Sequence, residues 1–126
     1  MKLKINKVEI GAEFDGMIWD YWIDAVLPNG EAVKIFDYKG LNLKKFEGGY
    51  VDVNVKALFV ESIFNDDLLC LQAKLIRESQ TFFLSNDIGI RIEIKEEDVI
   101  INKLPINKHS FFYLGRLDLE SISAVG

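Results

Sequence analysis

Four aspartates in the N-terminal part of the chain could supply acid–base or metal-binding chemistry. They are Asp20, Asp24, Asp37 and Asp52. Carboxylates that converge on one face of a sheet can hold a hard cation or act as a proton donor and acceptor pair. Carboxylates on the solvent face of a strand more often serve to keep that face soluble. We therefore expect these four side chains to be exposed, and the sequence predicts no metal site and no cofactor.

The single histidine and the single cysteine offer no clear nucleophile. His109 precedes Ser110, but adjacent residues of a strand face opposite ways and no nucleophile motif surrounds them, which predicts a surface histidine. Cys70 lies among leucines without a second cysteine or a flanking cation, which predicts a packing residue in a reducing compartment such as the cytoplasm. We therefore expect a protein that is not an enzyme.

Three aromatic residues, Trp19, Tyr21 and Trp22, form the most conspicuous cluster in the sequence. Strand alternation places Trp19 and Tyr21 on one face and Trp22 on the other. Such rings can stack against bases or sugars. Aromatic residues in strands are more often packing residues, so we expect Trp19 and Tyr21 in the core and Trp22 over a bend in the strand.

Lysines and aromatic residues that follow this cluster could form a local binding groove. Acids such as Asp37, Glu47 and Asp52 lie among these lysines, which favours a mixed, solvated surface instead. The candidate binding residues of the whole chain are Trp19, Tyr21, Trp22, Lys34, Tyr38 and Tyr50.

The 126 residues carry a net charge of −5, and 49% of them are hydrophobic. A chain of this length and apolar content can bury a continuous core, so we expect one domain over residues 1–126. The negative charge weakens the counterion-release term that drives nucleic-acid binding and favours a protein partner, in particular a basic one. The apolar stretches are far shorter than the ~20 residues that span a bilayer, so we expect no membrane partner and no secretory signal.

The apolar positions between Val8 and Leu27 change from even to odd numbers at residues 16–18. Because side chains alternate between faces with a period of two, this shift predicts one extra residue, a β-bulge, in a strand that bends. Asn29-Gly30 is a strong hairpin signal. The predicted strands of this half lie at about 17–27, 32–38 and 50–62.

The segment at about 65–78 is predicted to be a helix. Residues 68–78 are rich in Leu, Gln, Ala, Lys, Arg and Glu, and Asn65 suits an N-cap. Apolar residues from Leu69 to Leu75 also alternate, so a strand paired with residues 50–62 is the alternative. The elements expected after it are strands at 81–84, 88–95, 99–104 and 111–119, with a polar turn at 96–98.

The order of these elements resembles a five-stranded oligonucleotide/oligosaccharide-binding barrel, the OB-fold, with additional C-terminal strands. The resemblance covers residues 8–95 and rests on the bent strand around Gly16 and on residues 45–53, which are similar to the loop into the third OB strand. The expected fold class is mainly β, an antiparallel barrel or sandwich with a bulged first strand and one helix at about 65–78.

Two functions agree with these patterns. The first is a small, non-catalytic, cytoplasmic domain that binds a protein partner, such as an inhibitor or an immunity-type protein directed against a basic toxin. The alternative is an OB-like protein that binds single-stranded nucleic acid, which the resemblance implies and the net charge disfavours.

Overall fold

The computed structural model describes residues 1–63 and 71–123, and these residues form a mainly β structure. The described strands are β1 (Lys2–Ile10), β2 (Glu13–Phe14), β3 (Met17–Ile18), β4 (Tyr21–Val26), β5 (Ala32–Asp37), β6 (Tyr50–Leu58), β7 (Glu61–Ile63), β8 (Leu71–Glu78), β9 (Thr81–Ser85), β10 (Arg91–Ile94), β11 (His109–Tyr113) and β12 (Arg116–Ile122). The described residues also contain an α-helix, α1 (Glu96–Ile101), and a 3₁₀ helix at Lys44–Phe46.

Five of these strands close into a barrel in the order β1-β4-β5-β12-β6, with β6 pairing back onto β1. The predicted barrel is confirmed, and its strand order is compatible with an OB-like barrel. The sheet is mixed rather than purely antiparallel, because β5 runs parallel to β12 and β6 runs parallel to β10. Parallel neighbours need a long crossover, and the chain between β5 and β12 supplies one.

The barrel interior is filled by residues that alternate along each strand, as a half-buried sheet requires. Each of these side chains is no more than 5% exposed. The interior residues are Leu3, Ile5, Ile23, Ala25, Ile35, Val53, Val55, Ala57, Leu117 and Leu119. They belong to one hydrophobic cluster that continues into the strands outside the barrel.

The first strand is bulged, as predicted, but the bulge lies at Asn6. Ile5 pairs with Ala25 and Lys7 pairs with Asp24, so Asn6 is the extra residue of β1. The loop before β6 fits against this bulge: the Gly48 amide donates to the carbonyl oxygen of Ile5 at 2.7 Å. The bulge bends β1 so that it pairs with β4 on one side and with β6 on the other.

The parity change at residues 16–18 is a chain reversal, and the bulge predicted there is wrong. Asp15 and Gly16 have φ angles of 52° and 75°, which is the geometry of a two-residue hairpin turn. Phe14 pairs with Met17, and the same register continues to Val8 and Ile23. Even positions of one strand therefore face the same side as odd positions of the other, which is why the sequence parity changes.

The predicted helix at about 65–78 is wrong for residues 71–78, which form β8. Residues 65–70 of that prediction, with Cys70, lie outside the described residues. Leu71 and Leu75 are buried in a strand that pairs with β9 and β11, and not with residues 50–62 as the alternative proposed. Burial of the alternating face overrides the helix propensity of the other residues.

The C-terminal elements also differ from prediction. The polar turn predicted at 96–98 and the first part of the strand predicted at 99–104 are instead α1, and residues 102–104 are in the turn and loop that follow it. The first turn of α1 carries three acids that suit the helix dipole, and its Val99 is buried. The last strand divides into β11 and β12 at Gly115, where a Cβ atom would lie 2.7 Å from the Cβ of Phe59. No helix in residues 1–63 or 71–123 is long and apolar enough to cross a membrane.

Candidate functional site

The hairpin formed by residues 10–20, here called the hairpin tip, carries an exposed apolar face. Directly opposite residues of an antiparallel pair point to the same face, and the face that is buried at Val8 and Ile23 continues into the tip. There the strands pair only with each other, and every residue from Gly11 to Trp19 is exposed. The apolar face of the tip consists of Ile10, Phe14, Met17 and Trp19, which are 55%, 67%, 63% and 57% exposed.

The charged residues of the hairpin between Val8 and Ile23 all have one sign. This segment has four carboxylates and no Lys, Arg or His: Glu9, Glu13, Asp15 and Asp20. By the same pairing register, Glu9, Glu13 and Asp20 lie on the opposite face of the hairpin from the apolar side chains, Asp15 lies in the turn, and Glu9 is paired with Lys7 at 3.2 Å. An exposed apolar face of this kind marks an interaction site.

Hydrogen bonds join the two strands of the hairpin tip at its base. The Gly11 amide donates to the backbone oxygen of Asp20 at 3.0 Å, and the Asp20 carboxylate accepts a hydrogen bond from the Ala12 amide at 2.6 Å. On the other side, a Cβ atom at Gly40 would lie 3.1 Å from the backbone oxygen of Trp19. The loop after β5 therefore packs closely against the backbone of the tip at Trp19.

The side chain of Asp37, at the end of β5, forms hydrogen bonds with that loop. Its side chain is fully buried, and its two carboxylate oxygens accept hydrogen bonds from the amides of Leu41 and Asn42 at 2.9 and 2.8 Å. Asp37 lies opposite Tyr21 at the start of the hairpin. The expectation that Asp37 is exposed is wrong, because its carboxylate lies under the loop that follows β5 and accepts hydrogen bonds from two of its backbone amides.

A second cluster lies on the outer face of β4 and β5. The rings of Trp22 and Phe36 have centroids 4.7 Å apart, and those of Phe36 and Tyr38 are 6.4 Å apart. We call these three residues the aromatic stripe. The guanidinium of Arg116 lies 5.8 Å from the Phe36 ring, and the Lys39 ammonium lies 5.4 Å from the Tyr38 ring.

Each cation beside the aromatic stripe is paired with a carboxylate. Two of these pairs flank the rings. Arg116 donates two hydrogen bonds to the Asp118 carboxylate, at 2.9 and 3.0 Å. The Lys39 ammonium lies 3.2 Å from the Glu120 carboxylate. The Lys34 ammonium lies 3.6 Å from the Asp24 carboxylate. The stripe is therefore nearly neutral, and a polyanion would have to compete with these carboxylates for the cations.

The Lys39 pair predicts a measurable titration shift. The hydrogen bond from the Lys39 ammonium to Glu120 raises the pKa of Lys39 above its ordinary value of 10.5. Because the folded pKa is the higher one, the stabilisation from this pair is complete below pH 10.5 and is lost as the pH rises through the folded pKa. NMR titration of the lysine side chains is expected to give a lower pKa for Lys39 in Glu120→Gln than in the wild type. Equal values in the two proteins would show that the pair does not form in solution.

The Arg116 pair predicts a loss of stability on Arg116→Met. The Asp118 side chain is only 7% exposed, and the substitution leaves this carboxylate without its two charged hydrogen bonds. We expect urea denaturation to show a loss of about 1–3 kcal/mol in the free energy of unfolding. Arg91→Met is the matched control, because Arg91 also forms a two-bond pair and lies over a phenylalanine ring, but its partner Glu78 is exposed. Equal losses in the two variants would contradict this account.

The six candidate binding residues predicted from the sequence lie in separate places. Trp22, Lys34 and Tyr38 are together on the outer face of β4 and β5. Trp19 lies in the hairpin tip, so its predicted place in the core is wrong: the tip extends past the barrel, where no described residue covers it. Tyr21 is half-buried at the barrel end, whereas Tyr50 is exposed on β6 beneath the Lys2 ammonium.

The residues that the sequence offered for acid–base, metal-binding or nucleophilic chemistry also lie in separate environments. Asp52 accepts a hydrogen bond from the Met1 ammonium at 2.8 Å, which holds the pKa of Asp52 below its ordinary value. The described residues contain no group of three or more His, Cys, Asp or Glu side chains that could hold a metal ion. His109 is exposed on β11, and the Ser110 hydroxyl donates to the carbonyl oxygen of Lys108 at 3.5 Å.

Sequence reasoning did not identify Ile10, Phe14 and Met17 as surface residues. The signal for them is Asp15-Gly16 between alternating apolar residues, which is as strong a hairpin signature as Asn29-Gly30. An extended hairpin with apolar residues at its tip would have indicated an exposed apolar face.

Comparison of the chain with models of protein families, with curated protein sequences and with solved structures gives no match.

Proposed function

We propose that this protein is a non-catalytic binding domain that holds a protein partner through the apolar face of its hairpin tip. The observation that carries the proposal is the exposure of Ile10, Phe14, Met17 and Trp19 on one face of a hydrogen-bonded hairpin. Aromatic residues and methionine are enriched at the centres of protein interfaces, and a rigid hairpin loses little entropy on binding.

The acidic residues of the hairpin tip support a basic partner. A partner that covers the apolar face and extends around the edge of this two-stranded hairpin would come close to Glu13, Asp15 and Asp20. A partner with Lys or Arg around an apolar groove would be complementary and would associate faster at low ionic strength. We therefore propose an acidic inhibitor or immunity-type protein whose target is basic.

The same charges disfavour a symmetric dimer as the occupant of this face. Each hairpin tip carries Glu13, Asp15 and Asp20 and has no cation between residues 8 and 23, so two tips packed against each other would repel each other at low ionic strength. We expect light scattering to give the monomer mass at low ionic strength. A dimer that the substitution Trp19→Thr dissociates would contradict the proposed partner.

Photo-crosslinking from the tip tests the proposal. A benzoylphenylalanine residue replaces Met17 in the full chain, and the same residue in place of Ile100, which is also exposed, serves as the control. We expect position 17 to crosslink one basic protein in cell extract, and we expect that protein, once purified, to bind the unmodified chain. Crosslinks of equal yield and identity from positions 17 and 100 would overturn the proposal.

The alternative function is binding of single-stranded nucleic acid by an OB-type barrel. The aromatic stripe supports it, because an OB barrel uses the outer face of its second and third strands, and Trp22, Phe36 and Tyr38 occupy the corresponding β4 and β5. The paired cations and the net charge of −5 oppose it.

Salt dependence separates the two functions. Phosphate contacts give oligonucleotide binding that weakens steeply as salt rises. We expect fluorescence titration with an oligothymidylate to show no saturable change at low salt. Saturable binding that Trp22→Ala or Phe36→Ala abolishes, and that falls with salt, would favour the alternative.

A further inference from the structure

A basic cavity lies outside the barrel and the hairpin tip. It has a volume of about 320 Å³ and lies between β7, β11 and the loop that follows α1. The residues around it that can contact a ligand are Ser62, Lys103, Lys108, His109, Ser110 and Phe111. The cavity is of the size that takes a small molecule.

The chemistry of the cavity contrasts with that of the whole chain. The protein has a net charge of −5, yet none of the lining residues that the structure describes in 1–63 and 71–123 is Asp or Glu. Within residues 1–63 and 71–123, neither Lys103, Lys108 nor His109 forms an ion pair. No described carboxylate therefore neutralises these three side chains, and they are free to contact an anion.

The loop that carries the two lysines is held in place at several points. The Asn102 side-chain amide donates to the carbonyl oxygen of Val60 at 2.8 Å, and the Asn107 amide donates to that of Leu75 at 2.8 Å. Lys103 itself has a φ of 50°, a left-handed conformation that side-chain-bearing residues adopt at some cost. The backbone that carries Lys103 and Lys108 is therefore held in place by the fold, and their side chains are exposed beside the cavity.

We propose that this cavity binds a small phosphate monoester that carries a ring. A phosphate group presents three acceptor oxygens and up to two charges, which the ammonium groups of Lys103 and Lys108 and the imidazole of His109 can contact. Phe111 is half-buried in the wall and offers a surface against which the ring of the ligand can pack. The site is separate from the hairpin tip and does not depend on the function proposed above.

Titration of the ¹⁵N-labelled full chain with phenyl phosphate and with inorganic phosphate tests the site. We expect saturable amide shifts at residues 103–111 with both probes, at constant ionic strength. Lys103→Gln combined with Lys108→Gln is expected to weaken binding about tenfold or more, since both charged hydrogen bonds to the phosphate are lost. The matched control is Lys44→Gln combined with Lys45→Gln, two exposed neighbouring lysines beside another phenylalanine, and it should leave the affinity unchanged.

Three results would overturn the proposal. They are an absence of saturable shifts, shifts of the same size with sodium chloride, and an equal loss in the two double variants. The role of the ring is tested by Phe111→Leu. This substitution should lower the affinity for phenyl phosphate several-fold and leave the affinity for inorganic phosphate unchanged. Equal affinities of phenyl phosphate for the wild type and Phe111→Leu would contradict the part of the proposal that concerns the ring.

Discussion

Replacement of Phe14, Met17 and Trp19 by threonine is expected to weaken partner binding by about 100-fold or more, since buried aromatic anchors typically contribute most of an interface's affinity. The fold should be unaffected, because these side chains are 57–67% exposed in the free protein and threonine retains strand propensity. The measurements are calorimetric titration with the partner and thermal unfolding of the free chain.

The matched control for this variant is the threonine substitution of Ile88, Ile100 and Ile101. These residues are 58%, 67% and 73% exposed and lie on the loop before β10 and on α1, away from the hairpin tip. We expect the control to bind as the wild type does. Equal loss of binding in the two triple variants would mean that general surface hydrophobicity, and not the apolar face of the tip, holds the partner.

Asp37→Ala is expected to have the largest effect on stability, a loss of about 3 kcal/mol in the free energy of unfolding, since two backbone amides lose a buried, charged acceptor. The amides are those of Leu41 and Asn42. Because the same loop packs against the base of the hairpin tip at Gly40, amide exchange in residues 38–42 should also become faster. Urea denaturation and hydrogen exchange measure the two effects.

Asp24→Ala is the control for Asp37→Ala. Asp24 lies on the outer face of the neighbouring strand, and its carboxylate is 3.6 Å from the exposed Lys34 ammonium, so its removal should change stability little. A loss of stability in Asp37→Ala no greater than that in Asp24→Ala would show that the buried carboxylate does not hold the loop.

The sequence is sufficient to predict the barrel because its strands alternate apolar and polar residues. β4, β5 and β6 lie close to the predicted strands, and the Asn29-Gly30 turn joins β4 to β5. These elements share one property: each buries one face against the interior, so the period of two is visible in the sequence.

The predictions from sequence are wrong where tertiary packing decides between two local structures that the sequence allows equally well. Residues 71–78 have a composition that favours helix, and only their position between β9 and β11 makes them a strand. In the same way, a parity change at Gly16 fits a bulge or a turn equally well until the partner strand is known. The candidate site depended on that choice, because a bulge would have buried Trp19 whereas a turn exposes it.

Amide hydrogen exchange of the free protein, compared with the protein saturated with its purified partner, tests most directly whether the hairpin tip holds the partner. We expect exchange to slow at residues 10–20 and to stay unchanged at residues 34–38 of the aromatic stripe. Slowing that is confined to residues 34–38, with no change at the tip, would contradict the account.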